Sequence, residues 1–257
     1  MNNRTISFAK RNIKEMSRDP LSYIFCIAFP LVMLVIMTVV NSSIPAEAGQ
    51  TIYRIDNLAG GVIIFGQTFV MLFTALAVAN DRAGSFLIRL FATPMKSREF
   101  TTGYILPMLI ISMIQSALTI VAAFVISLIT GYQLSIPGLL LSIVTTIPSA
   151  LMFIAIGMIF GTLFNEKAAP GLCSVIISLG SFVGSIWFDA EKAGGVMYDI
   201  CRFMPFFYCT KTARSTISLD FSFKGFLLPL LIVACSAAAL MVIGILVFRR
   251  KMKADLN

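Results

Sequence analysis

The chain has 257 residues, of which 58% are hydrophobic and 12% charged, with 20 Lys and Arg against 12 Asp and Glu. Water-soluble domains carry about twice that share of charge, so a lipid bilayer is the solvent that fits, and the excess of cations implies no nucleic-acid partner. Histidine is absent and none of the five cysteines forms a Cys-x-x-Cys pair, which removes zinc-hydrolase, Ser–His and thioredoxin-like chemistry and predicts no metal site.

Residues 1–20 are polar and basic. At 100° per residue Ile6, Ala9, Ile13 and Met16 share one face, with Arg4, Lys10, Arg11, Lys14 and Arg18 opposite, which predicts an amphipathic helix in the membrane interface. Apolar runs follow at Leu21–Val40, Leu58–Ala79, Gly103–Thr130, Leu139–Phe164, Pro170–Phe188 and Gly225–Phe248. The third and fourth lie in a charge-free stretch, Phe100–Asn165, divided by Gly131, Ser135, Pro137 and Gly138. Each run is close to the roughly 20 residues that cross the hydrocarbon, and only helices satisfy their own backbone there. The expected fold is therefore all-α: one polytopic membrane domain spanning residues 1–257, with six transmembrane helices. The first run is too long for a signal-peptide core of about 7–15 residues, so Ala46-Glu47-Ala48 is not expected to be a cleavage site. Asn41-Ser42-Ser43 matches a glycosylation sequon and is given no role.

Fourteen of the 20 cations fall in residues 1–20, 80–102, 165–169 and 249–257, which places both termini in the cytoplasm. Cys201 and Cys209 then face outside. A disulfide between them requires a turn at Met204-Pro205, because on one helix they stand about 12 Å apart.

No Asp, Glu, Lys or Arg lies within a predicted span, which argues against proton relays and ion-coupled transport. Gln67 and Gln115 are the strongest polar groups there. They are candidates for a translocation path or for hydrogen bonds between helices. Gly157-x-x-x-Gly161 and Gly180-x-x-x-Gly184 allow close helix approach, and Pro30, Pro107, Pro148 and Pro229 allow kinks.

Between the second and third runs, Asp81 or Ser85 can cap a short helix that Pro94 ends. Phe86, Leu87, Leu90 and Phe91 make one apolar stripe on it, which requires lipid, the protein's own helices or a partner to cover it. Asp81-Arg82, Gly84-Ser85-Phe86, Arg89-Leu90, Thr93-Pro94 and Gly103 resemble the first cytoplasmic loop of ABC-type export permeases. These are membrane subunits of bacterial drug, lipid and polysaccharide exporters. The N-terminal helix resembles the family's connecting helix, Asn165-Glu166-Lys167 its second cytoplasmic loop, and Met204-Pro205-Phe206, Tyr208 and Arg214 its outer re-entrant segment before the last span. The resemblance covers nearly the whole chain.

It implies a transport subunit of the bacterial cell membrane, not itself an enzyme, that pairs with a second copy or a paralogue. An ABC ATPase subunit docks on Arg82, Gly84, Phe86, Leu87, Arg89, Leu90, Phe91, Thr93 and Pro94 and on the second loop. The chain has no Gly-Lys pair and so no phosphate-cradling loop; it holds no cofactor, and ATP and magnesium belong to the partner. The charge-free spans suit an amphipathic or hydrophobic cargo. The competing reading is an ion- or gradient-coupled transporter using backbone carbonyls. An intramembrane enzyme fails for lack of His and of paired intramembrane Asp. In a cysteine-free background, Gln50→Cys is expected to react with an impermeant thiol reagent on intact cells and Leu90→Cys to stay unlabelled. The reverse pattern overturns the topology.

Overall fold

The computed structural model of the protein describes residues 3–45, 51–84 and 97–254. Among them the secondary structure is entirely helical. Helix α1 is Asn3–Met16, α2 Pro20–Ser43, α3 Ile55–Ala83, α4 Ser97–Thr130, α5 Ile136–Thr145, α6 Ile147–Leu163 and α7 Ala169–Val183. Three short helices follow, α8 Ala190–Ala193, α9 Gly195–Phe203 and α10 Pro205–Ile217, and then the long α11, Leu228–Ala254, entered through a π-helical turn at Phe223–Leu227.

Local chemistry sets these boundaries. Asp19 caps α2, accepting from the Leu21 amide at 3.1 Å and the Ser22 hydroxyl at 2.6 Å, with Pro20 at the first helical position. Gly131, at φ +72°, ends α4 in the left-handed conformation that glycine adopts without strain. Ser135 caps α5 and Asn165 Oδ1 accepts from the Ala168 amide at 2.8 Å ahead of α7.

Among the described residues five helical stretches are long and apolar enough to cross a membrane: Pro20–Ser43, Ile55–Ala83, Glu99–Thr130, Ile136–Leu163 and Phe223–Lys251. The expected fifth span, 170–188, forms α7 of 15 residues, which reaches about 22 Å, short of the roughly 30 Å of hydrocarbon. The apolar run continues, but Gly184 and Ser185, the latter at φ 54°, turn the chain before Trp187. Cys201 and Cys209 are buried free thiols.

Helix α3 is the axis. Every residue from Leu58 to Met71 is buried, and α2, α4, α6, α7 and α10 pack around it. Its closest neighbour is α6, where Gly157 and Gly161 meet α3 directly. A Cβ on Gly157 would stand 2.4 Å from the Met71 carbonyl oxygen, and one on Gly161 would stand 2.4 Å from that of Ala75. The four-residue glycine spacing places both on one face, so the backbones close to contact.

The prolines strand carbonyls. A proline removes the amide that would bond the carbonyl four residues earlier. Pro107 thereby frees Gly103, whose carbonyl accepts from Asn12 Nδ2 of α1 at 3.0 Å. Pro229 frees Gly225, whose carbonyl accepts from the Ser215 hydroxyl of α10 at 2.8 Å. Pro148 follows a one-residue interruption at Thr146, through which α5 continues into α6. Pro30 follows a second π-helical turn, Ile24–Ala28.

Gly161→Leu is expected to cost about 3 kcal/mol through overpacking against α3, read as a lower thermal midpoint of the purified chain. Gly171→Leu is the control, since nothing lies within 4 Å of a Cβ there, and it is expected to leave the midpoint unchanged.

Candidate functional site

Two polar clusters sit at opposite ends of α3. At its C-terminal end, α1 lies across α3 and α4. Phe8 enters the notch left by Gly103, where a Cβ would come within 2.2 Å of its ring. It meets Tyr104 edge-on at 5.1 Å and Phe100 at 5.9 Å between centroids. The buried face of α1 is therefore Thr5, Phe8, Ala9, Asn12 and Met16. Of the expected apolar face, Ala9 and Met16 lie in this contact, while Ile13 is exposed and Ile6 lies on the flank. The rotation follows from Asn12, which the stranded Gly103 carbonyl draws inward.

Arg11, expected on the solvent face, turns along the protein. Its two terminal nitrogens each donate to an Asp81 carboxylate oxygen at 2.8 Å, and the Tyr104 hydroxyl donates to Asp81 at 2.6 Å. Glu15 accepts from the same guanidinium at 2.7 Å. Burial works against the charge on Arg11, but the Asp81 hydrogen bonds and the attraction of Asp81 and Glu15 outweigh it, so its pKa is held above its ordinary value. One carboxylate thus joins α1, α3 and α4. Composition and spacing gave no sign of this partnership, because its members are 70 and 23 residues apart.

Next to Asp81, Arg82 Nη1 donates to the Gly161 and Phe164 carbonyls at 3.2 and 3.3 Å. These lie at the C-terminal end of α6, where unpaired carbonyls and the helix dipole favour a cation. Gly84 closes α3, its amide donating to the Asn80 carbonyl at 2.9 Å. Phe164 immediately precedes Asn165, Glu166 and Lys167, which are exposed. The bases of the two expected loops are therefore in contact through Arg82. The remaining expected docking residues, Phe86, Leu87, Arg89, Leu90, Phe91, Thr93 and Pro94, lie outside the described residues.

Gln67 and Gln115 are buried inside the subunit. Gln67 Nε2 donates to the Thr146 carbonyl at 3.2 Å, and the Ser149 hydroxyl lies 2.6 Å from Gln67 Oε1, so this side chain braces the α5–α6 break against α3. Gln115 Nε2 donates to Thr119 Oγ1 at 3.1 Å, and its carboxamide covers Gly66.

At the other end, α10 packs on the start of α3, with α8 and α9 leading into it. Arg214 of α10 lies against Gly60 and Gly61, donating through Nε to the Asn57 carbonyl and through Nη2 to the Ile186 carbonyl, both at 3.1 Å. It staples α10 to the start of α3 and to the turn after α7. Close by, Arg54, Asp56 and Tyr132 form a triangle, with Arg54 Nη2 2.6 Å from Asp56 Oδ2 and the Tyr132 hydroxyl donating to Asp56 at 2.9 Å. Among the described residues no cluster of His, Cys, Asp and Glu could hold a metal ion.

Asp81→Asn leaves a half-buried guanidinium with only the exposed Glu15 as carboxylate partner and is expected to lower stability by about 2 kcal/mol, while Tyr104→Phe is expected to cost about 1 kcal/mol. Thermal unfolding of the purified chain measures both. A double-mutant cycle of Arg11→Ala with Asp81→Ala is expected to show coupling of about 1 kcal/mol or more.

The family model described as ABC-2 type transporter matches residues 4–218. No curated protein matches the chain. The match takes in α1, the bundle through α7 and the α8–α10 hairpin, well over half the sequence, and on it the chain belongs to the ABC-2 type transporter family, as the membrane permease component of an ABC transporter.

Proposed function

We propose that the protein is the export permease of an ATP-driven pump in a bacterial cell membrane, moving an amphipathic or hydrophobic molecule such as a drug, lipid or peptide outward. A separate ATPase subunit docks on residues 82–94 and 165–167 and binds ATP and magnesium. The chain works as a dimer with a second copy or a paralogue. Both termini are cytoplasmic, α1 lies in the inner interface with Ile6 and Ile13 toward the acyl boundary, and α8–α10 form the outer re-entrant cover. Helix α7 with the turn after it makes the sixth crossing as a short pass.

The observation that carries this reading is Arg82. It bonds the base of the first loop to the end of α6, from which the second loop departs. A partner that moves the first loop therefore moves α3 and α6 together, and α3 runs about 40 Å to the Arg214 staple. The cationic surface at this end supports a cytoplasmic placement, with Lys10, Lys14, Lys167, Arg249 and Arg250 exposed. The gradient-coupled alternative has less support, because Gln67 and Ser149 are spent on bracing helices.

Leu90→Asp would replace an apolar contact by a carboxylate. The variant is expected to reach the membrane in normal amount, to lose at least about tenfold of its co-purifying ATPase and to lose export. An unchanged ATPase-to-permease ratio in the detergent extract, with export intact, overturns the docking assignment.

A further inference from the structure

A cavity of about 440 Å³ opens beneath α8 and α10, between the start of α3 and the approach to α11. Its lining holds Arg214, Thr210, Lys211, Asp189, Glu191 and Asp220. The carboxylates are committed. Asp189 accepts from the Glu191 and Lys192 amides, Asp220 accepts from the Ser222 amide, and Glu191 is paired with Lys211. The donors are not. Thr210 is 1% exposed, yet its hydroxyl has no partner among the described residues. Among the described residues Arg214 bonds to two carbonyls and to no carboxylate. Burial lowers its pKa to about 10 despite the attraction of Asp189, Asp56 and Glu191, which still leaves it charged at neutral pH. A buried cation bonded to neutral carbonyls and a buried hydroxyl without an acceptor call for a ligand that supplies oxygen lone pairs and negative charge. Phe221 and Phe223, which flank the lining residue Ser222 in sequence, are 48% and 62% exposed.

We propose that this cavity receives the phosphate or carboxylate group of an anionic amphiphile, held by Arg214 and Thr210, with its apolar tail on Phe221 and Phe223. That the amphiphile is the cargo rests on the export reading above; the site itself rests on the geometry alone. The single tryptophan, Trp187, follows Ile186, whose carbonyl Arg214 holds, so its emission reports the site. The full-length chain in a neutral detergent is titrated with dodecyl phosphate, inorganic phosphate and dodecyltrimethylammonium. Dodecyl phosphate is expected to give a saturable change with a Kd at least about tenfold below that of inorganic phosphate. The cationic amphiphile is expected to give none. Thr210→Val is expected to raise the dodecyl phosphate Kd about fivefold without lowering the thermal midpoint, since it removes a hydroxyl that has no partner. Arg214→Gln is expected to abolish binding, and if that variant fails to fold, Thr210→Val decides. Equal response to both amphiphiles, or an unchanged Kd in Thr210→Val, overturns the site. Inorganic phosphate binding as tightly as dodecyl phosphate overturns the amphiphile in favour of a free anion. None of these outcomes bears on ATPase docking, which the Leu90→Asp extract tests separately.

Discussion

In hydrocarbon a backbone carbonyl without a donor has no water to turn to, and a chain with prolines inside its spans creates such carbonyls by its own sequence. Two of these defects became joints. Asn12 reaches the carbonyl that Pro107 strands, which seats α1 on α4 and brings Arg11 to Asp81. Ser215 reaches the carbonyl that Pro229 strands, which ties α10 to the start of the last span. The clamp and the hairpin, the features that set this bundle apart from a plain group of helices, both hang on satisfying the backbone.

Between them runs α3, and its character follows from its neighbours. Glycines on α6 let the two backbones touch, so polar side chains on α3 find partners across a short gap instead of facing lipid. Arg82 ties its C-terminal end to α6, and Arg214 ties its N-terminal end to α10. At each end a guanidinium bonds to backbone carbonyls, Arg82 to Gly161 and Phe164 and Arg214 to Asn57 and Ile186. Such contacts set position through direction and distance more than through net charge.

Much of this was legible in the amino-acid order. Hydrophobic runs marked the spans within a few residues, because a span's length is set by the bilayer and its ends by Gly, Pro and Ser. The glycine pair at 157 and 161 marked a close crossing. The short α7 was not legible, since an apolar run carries no record of where Gly184 and Ser185 turn the chain. The face by which α1 packs on the bundle was not legible, because the hydrophobic pattern counts Asn12 as polar, whereas Gly103 offers it a buried acceptor. Arg214 could be flagged only by resemblance. That it lacks a carboxylate depends on contacts more than a hundred residues apart, with Asn57 as its acceptor.

The enclosure of α3 also has a consequence for biosynthesis. Ser149, which meets Gln67, follows it by 82 residues. At about 5–20 residues per second, α3 waits in the bilayer for about 4–16 s before α6 arrives. During that interval Gln67 and the glycine-facing surface have only lipid or the insertion machinery beside them. Helix α3 is therefore a guest of the membrane first and a core element second, and the newborn chain is most exposed to quality control in those seconds.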